Sequence, residues 1–246
     1  MPVRAPPKLS VWPPASNASR DRARERPVLF FFFFFFFFRG DSFLVMHKKA
    51  IKHLRAVDPV LGAIIDTIGP CTLAVPKDGS HFGHIVRSIV YQQLSGKAAG
   101  TIHGRVVALC GGDVTPAGIL KSTDAQLRAA GLSERKVQYV KELASRTKSK
   151  ELAIDKLHEL DDDAVMETLV QVRGIGRWTA QMVLMFRLGR PDVLPELDLG
   201  IQKGVQKMLR MRKLPTPEKL QKIGAKWAPH RTVASWYVWR SLDAPE

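Results

Sequence analysis

The stretch VQVRGIGRWTAQMVLMF, Val170 to Phe186, leaves its chain few conformations. Val165, Leu169 and Val172 mark one apolar face before the glycines, and Ala180, Val183, Leu184 and Phe186 mark another after them. Only Arg173-Gly174-Ile175-Gly176 lies between, so two helices must reverse direction tightly. Glycine accepts positive φ and lets another backbone approach closely. Ile175 is expected to enter the interhelical core while both glycines face a ligand. Gly176 immediately precedes the second helix, whose first N–H groups lack partners inside the helix and attract a phosphate. The same residues also suit an ordinary αα-hairpin turn with no ligand.

The surrounding chain reads as helix throughout, from Met46 onward. His81 to Leu94 places Phe82, Ile85, Val86, Ile89 and Val90 on one face. Ser95 caps a helix running to about Cys110, stopped by Gly111-Gly112. Thr115-Pro116 is a cap followed by proline at the first helical position. Thr123 to Gln126 has capping-box spacing. Ser133 starts a helix with Val137, Val140 and Leu143 buried. Asp161 to Asp163 place carboxylates at the positive end of the next helix. Further helices are predicted at about 177–188, 199–211, 216–226 and 230–241, with one or two more between Met46 and Ile68. Cys71 to Pro76 is the one candidate extended piece. The fold expected is all-α.

Charge narrows the partners. The net charge is +15, and residues 46–246 carry 31 Lys+Arg against 20 Asp+Glu, so the excess belongs to the body of the protein. Such a surplus suits a polyanion, nucleic acid or an acidic membrane. The two cysteines, Cys71 and Cys110, exclude a disulfide framework and a four-thiolate cluster and point to a reducing interior. Residues 1–27 are Pro-, Arg- and Ser-rich and read as disordered. Phe30 to Phe38 is an unbroken run of phenylalanine within an apolar stretch of 11 residues, Val28 to Phe38. A spanning helix needs about 20. No packing logic calls for this run, and residues 1–45 are expected to be an extension outside the functional protein, with translation starting at Met46.

Four segments together resemble a known family. IVYQQLSGKAAGTI, LVQVRGIGRWTAQMVLMF, DVLPELDLGIQKGV and WAPHRTVASWYVW, spread over roughly residues 80–241, resemble in order and spacing the helix-hairpin-helix DNA glycosylases. Within that superfamily the 3-methyladenine DNA glycosylase II group, which removes alkylated bases, is most similar. The resemblance implies two helical lobes with a cleft between them over residues 46–246, double-stranded DNA as partner, and hydrolysis of the bond between base and sugar in base excision repair.

The resemblance also assigns residues. Asp198 matches the catalytic aspartate; its position before Leu199 to Leu209 equally suits a helix cap. Trp178 stands where lyase-competent relatives carry a lysine, which implies a monofunctional hydrolase; Lys203 and Lys207, on the helix after Asp198, do not match that lysine. Trp178 and Trp239 match tryptophans of the base pocket, where aromatic faces hold a cationic base by stacking. Met182 stands where some relatives have an aromatic ring, and Tyr91 either lines the pocket or packs. Gln93 is assigned as the plug that fills the gap left by the extruded base, with Leu94 as the alternative. Phosphate contacts are expected from Gly174, Gly176 and Arg177, with Lys203 and Arg231 as further candidates. Asp192 and Glu196 are expected to be solvated loop residues. Family members bind a monovalent cation, Na+ or K+, through hairpin carbonyls matching Val170, Val172 and Ile175; the chemistry requires no other cofactor. A monomer inside the cell, in cytoplasm, nucleoid or nucleus, is implied.

Rival readings stay open. A non-catalytic hairpin module would need the glycines but not Asp198. A glycosylase for a neutral lesion such as uracil or hypoxanthine would need a different pocket. A membrane-surface protein would need a basic amphipathic helix beside the Phe run, and none accompanies it.

Overall fold

The computed structural model describes residues 42–76 and 78–243, with the side chains of residues 42–46 outside that description. The Phe run and the disordered reading of residues 1–27 lie outside the described residues. The helices are α1 (Ser42–Val57), α2 (Pro59–Ile68), α3 (His81–Tyr91), α4 (Gly96–Leu109), α5 (Pro116–Lys121), α6 (Asp124–Ala129), α7 (Glu134–Lys148), α8 (Asp162–Val170), α9 (Arg177–Phe186), α10 (Leu199–Met208), α11 (Pro217–Gly224) and α12 (Arg231–Arg240). Two 3₁₀ turns, Ile154–Glu159 and Ala225–Trp227, complete them. Among the described residues no strand forms, and Cys71 to Pro76 is irregular coil rather than an extended element. The helix over Ser42–Val57 begins ahead of Met46, within the segment assigned to the extension.

Side-chain caps fix where the helices begin. Ser95, Thr115, Ser133 and Asp161 each accept the N–H three residues on. Thr123 and Gln126 exchange both bonds of a capping box. Each cap satisfies a donor that the helix leaves orphaned.

The helices pack as two groups. α1, α2, α10, α11 and α12 form one, with α2 and α10 both against α12. α3 to α9 form the other, with α3 against α4, α7 and α9, α5 against α7, and α8 against α9. Residues far apart in sequence thus build the first group, while the second is nearly contiguous. Two glycines set the closest approach in the first group. A Cβ on Gly204 would come within 2.6 Å of the Val238 carbonyl oxygen, and one on Gly200 within 2.9 Å of the Trp239 ring. Glycine inside a helix costs about 1 kcal/mol relative to alanine; here it lets α10 lie directly on α12.

Candidate active site

The chain reverses between α8 and α9 as its sequence demands. Val172 and Ile175 are buried, and the Ile175 N–H donates to the Val172 carbonyl. Only one of the two glycines needs its conformational freedom: Gly174 has φ +81°, whereas Gly176 sits in extended backbone at φ −89°. Their surroundings also differ. A Cβ on Gly174 would overlap the Tyr139 ring, while one on Gly176 would meet nothing within 4 Å. Gly174 packs against Tyr139 of α7 on its Cβ side, yet both glycines remain exposed. Gly176 is also the N-cap of α9 and supplies no side-chain cap, so the first N–H groups of that helix keep their capacity for an anion.

Asp198 lies where the two helix groups meet. It is the N-cap of α10, its Oδ1 accepting the Ile201 N–H at 2.8 Å. The same oxygen accepts Trp239 Nε1–H at 2.8 Å, and Oδ2 accepts Trp178 Nε1–H at 2.9 Å. Trp239 belongs to α12 and Trp178 to the first turn of α9, so one carboxyl group joins three helices drawn from both groups. Asp198 is 2 % exposed. Burial pushes its pKa above the ordinary carboxylate value, and the Trp239, Ile201 and Trp178 donors work against that rise.

The aromatic walls follow from these bonds. An indole N–H lies in the ring plane, so each tryptophan points an edge at Asp198. One face of Trp239 is stacked on Phe186, with centroids 5.8 Å apart and planes inclined by 30°. Trp239 is thus nearly buried, and Trp178 is partly exposed. Met182, one turn after Trp178, is buried among the core side chains of α9. Tyr91 is half-buried at the end of α3; its hydroxyl accepts from Arg87 at 3.3 Å, and the guanidinium lies 4.7 Å from its ring centroid.

Four charged residues depart from expectation. Glu196 is no solvated loop residue: it is 4 % exposed and accepts from Gln181 at 2.8 Å and from Arg177 Nε at 2.7 Å. Burial works to raise its pKa, but these partners outweigh it and hold the group below the usual glutamate value. Arg177, expected on phosphate, is therefore tied to the loop that carries Asp198, with its side chain still 56 % exposed. Asp192 is likewise partly buried. It receives Arg231 in a bidentate pair at 2.7 and 2.8 Å, which commits Arg231 within the fold rather than to phosphate. Lys203 is partly exposed on α10.

The loop assigned to the plug by resemblance follows α3. Gln93 is exposed and stands at φ +57°, a conformation few non-glycine residues adopt. Leu94 beside it is half-buried. Gln92 points the other way: its Nε2 donates to the Gly174 carbonyl at 2.8 Å and to Thr179 Oγ1 at 3.1 Å.

The carbonyls of Val170, Val172 and Ile175 are oxygen donors of the kind a hard cation takes. The Val172 carbonyl accepts the Ile175 N–H, and Arg146 bonds the neighbouring Gln171 carbonyl. Among the described residues no His, Cys, Asp and Glu cluster could hold a metal, and no helix is long and apolar enough to cross a membrane.

Sequence reading missed Gly200, Phe186, Glu196 and Gln181. Gly200 had a signal: with Gly204 it repeats at one helical turn in α10, a pattern whose cost calls for a packing reason. The other three pair over long range and leave no local period.

An all-α frame in which a hairpin corner and a buried, indole-bonded carboxylate sit at the meeting of two helix groups defines a base-excision class of DNA repair protein. The chain belongs to the HhH-GPD superfamily of base excision DNA repair proteins, whose family model matches residues 86–230. It is 36% identical over 163 residues to DNA-3-methyladenine glycosylase 1 of Schizosaccharomyces pombe, covering 65% of this chain and 72% of that protein. It is 28% identical over 198 residues to alkylbase DNA glycosidase-like protein mag2 of the same organism, covering 79% and 93%. Among solved structures, the S. pombe 3-methyladenine DNA glycosylase in complex with abasic DNA superimposes with a TM-score of 0.71 at 32% identity, over 80% of this chain and 97% of that one.

Proposed function

We propose that this protein is a monofunctional DNA glycosylase that hydrolyses the bond between deoxyribose and an alkylated purine of the 3-methyladenine type, extruded from duplex DNA, as the first step of base excision repair. The observation that carries this reading is the carboxyl group of Asp198, buried at the lobe junction and bonded by two indoles. The similarity to glycosylases named for 3-methyladenine supports the substrate class.

Departure of the base develops positive charge on the sugar, as in glycoside hydrolysis. A fixed carboxylate in a site with little water stabilises that charge. Ile201, Trp239 and Trp178 hold the Asp198 oxygens in one orientation, so little reorganisation is needed as charge builds. An alkylated purine is already cationic and leaves neutral, its electron pair taken from the broken bond. Water bonds to C1′ and loses a proton, leaving an abasic site. The partly exposed indole of Trp178 supplies aromatic surface for the cationic base, while Trp239 is stacked against Phe186. At the corner, the N–H groups beside Gly176 take a phosphate. A monovalent cation at the Val170, Val172 and Ile175 carbonyls would add positive charge there when bound. Gln93 fills the space the base vacates, and the protein acts as a monomer.

Trp178 in place of a lysine supports hydrolysis without strand cleavage. Duplexes carrying N7-methylguanine, 3-methyladenine, hypoxanthine or uracil, compared at one salt concentration because phosphate affinity depends steeply on it, test the reading. Release of the alkylated purines and strand breakage only after alkali are expected. Strand scission without alkali, or an adduct trapped by borohydride, would overturn monofunctionality; release of uracil alone would overturn the substrate class.

A further inference from the structure

One face of α7 touches both the loop after α3 and the hairpin between α8 and α9. Lys136, Tyr139, Glu142 and Arg146 follow each other at spacings of three or four, beside the buried Val137, Val140, Leu143 and Ala144. Arg146 donates to the Gln171 carbonyl and side chain at 2.8 and 3.0 Å. Glu142 accepts from the Arg173 backbone N–H and forms an ion pair with its guanidinium. Tyr139 fills the space beside Gly174. These three grip the hairpin. Lys136 grips the plug loop: its ammonium donates to the Val90 carbonyl at 2.7 Å and the Gln92 carbonyl at 2.6 Å. Those carbonyls belong to the C-terminal end of α3, where unpaired oxygens and the helix dipole favour a cation.

Lys136 pays for this position with hydration, since its partners are neutral carbonyls and, among the described residues, no carboxylate is paired with it. Burial lowers its pKa to about 8. The strained residue Gln93 follows directly upon the carbonyl that Lys136 holds. Gln92 is thereby fixed at both ends, its carbonyl by Lys136 and its side-chain amide by Gly174 and Thr179 of the hairpin.

We propose that Lys136 and Gln92 are positioning residues for base extrusion: together they clamp the plug loop to the hairpin, so that Gln93 enters the duplex at a set place relative to the phosphate corner. This rests on the glycosylase reading given above. Between them the two residues bond the loop and the hairpin rather than Asp198, so the clamp is expected to matter only while a paired base must be driven out and its place filled.

The test separates extrusion from chemistry. Single-turnover release of N7-methylguanine is measured from a duplex where it pairs with cytosine, and from one where a tetrahydrofuran abasic analogue stands opposite and no partner holds it. Extrusion is followed independently by the fluorescence of 2-aminopurine paired with thymine. In K136M, release from the paired duplex should fall about tenfold to a hundredfold, the loss expected for hydrogen bonds from a charged donor. Release opposite the abasic analogue should stay within about threefold, K136R should recover most of the paired activity, and the 2-aminopurine signal should drop in K136M. Equal losses on both duplexes, or no loss on the paired one, would overturn the proposal. Should K136M fail to fold, Gln92→Leu opens the clamp from the hairpin side and must give the same split. A wild-type protein that releases no base defeats the glycosylase reading, while the 2-aminopurine comparison still judges the clamp.

Discussion

Trp239 and Asp198, 41 residues apart in sequence, are joined by an indole N–H donating to Oδ1 at 2.8 Å. The bond exists because Gly200 leaves room for the ring, which a side chain there would strike at 2.9 Å. Trp239→Phe keeps an aromatic ring beside Phe186, removes the donor and leaves a smaller side chain. Loss of a buried bond to a charged group costs about 1.5–3 kcal/mol. The Asp198 pKa should rise further, moving the acid limb of base release to higher pH. A pH–rate profile under single-turnover conditions measures it; an unchanged limb would mean that the indole does not tune the carboxylate.

Asp198→Asn should reduce base release by at least about a hundredfold, the usual scale for removing a preorganised electrostatic group. Asparagine caps helices as well as aspartate, so α10 should still form. Affinity for a duplex with an abasic analogue, measured by fluorescence anisotropy, should change little. Undiminished release would end the role assigned to Asp198 and favour a binding-only hairpin module.

Stability and activity should respond to pH in opposite senses at this residue. Burial raises the folded-state pKa of Asp198 above the reference value of 3.8. Its contribution to stability is then fully present below 3.8 and lost as pH rises through the folded pKa. On the proposed role for Asp198, activity should need the ionised form and should appear over that same interval. Chemical denaturation of wild type and Asp198→Asn across this range should show the wild type losing stability relative to the variant as pH rises.

Much of this arrangement is legible in the chain, and the legible part is local. Asp198 as a helix cap follows from its place ahead of an apolar-periodic run, whereas its assignment to the site comes only from the family resemblance; Ser95, Thr115, Thr123, Ser133 and Asp161 mark their helices in the same way. What escapes is pairing between distant side chains. Nothing near Glu196 announces that Gln181 and Arg177 will bury it, and nothing near Arg231 announces Asp192. The two hairpin glycines look equivalent in sequence; Tyr139, from another helix, makes them differ.

That difference gives a further prediction. Gly174→Ala must overlap the Tyr139 ring and hold alanine at φ +81°. It should destabilise the fold by about 2 kcal/mol or more through combined strain and overpacking. Gly176→Ala, with open space and ordinary backbone, should leave thermal stability nearly unchanged while weakening DNA binding. In Tyr139→Ala the Gly174→Ala penalty should shrink to the backbone part alone, about 1–2 kcal/mol. Melting temperatures of the four variants and anisotropy titrations distinguish these outcomes; a Gly174→Ala protein as stable as wild type would contradict the packing described.

Because a single rigid rod, α7, grips both the loop after α3 and the hairpin, their separation is set by a length of helix and not by loops. Adding or deleting one residue between Lys136 and Arg146 would swing one grip roughly 100° around the rod axis and disengage it. A descendant with a longer or shorter footprint on the duplex must therefore change that rod by whole turns, in steps of about 5.4 Å, or build a new support.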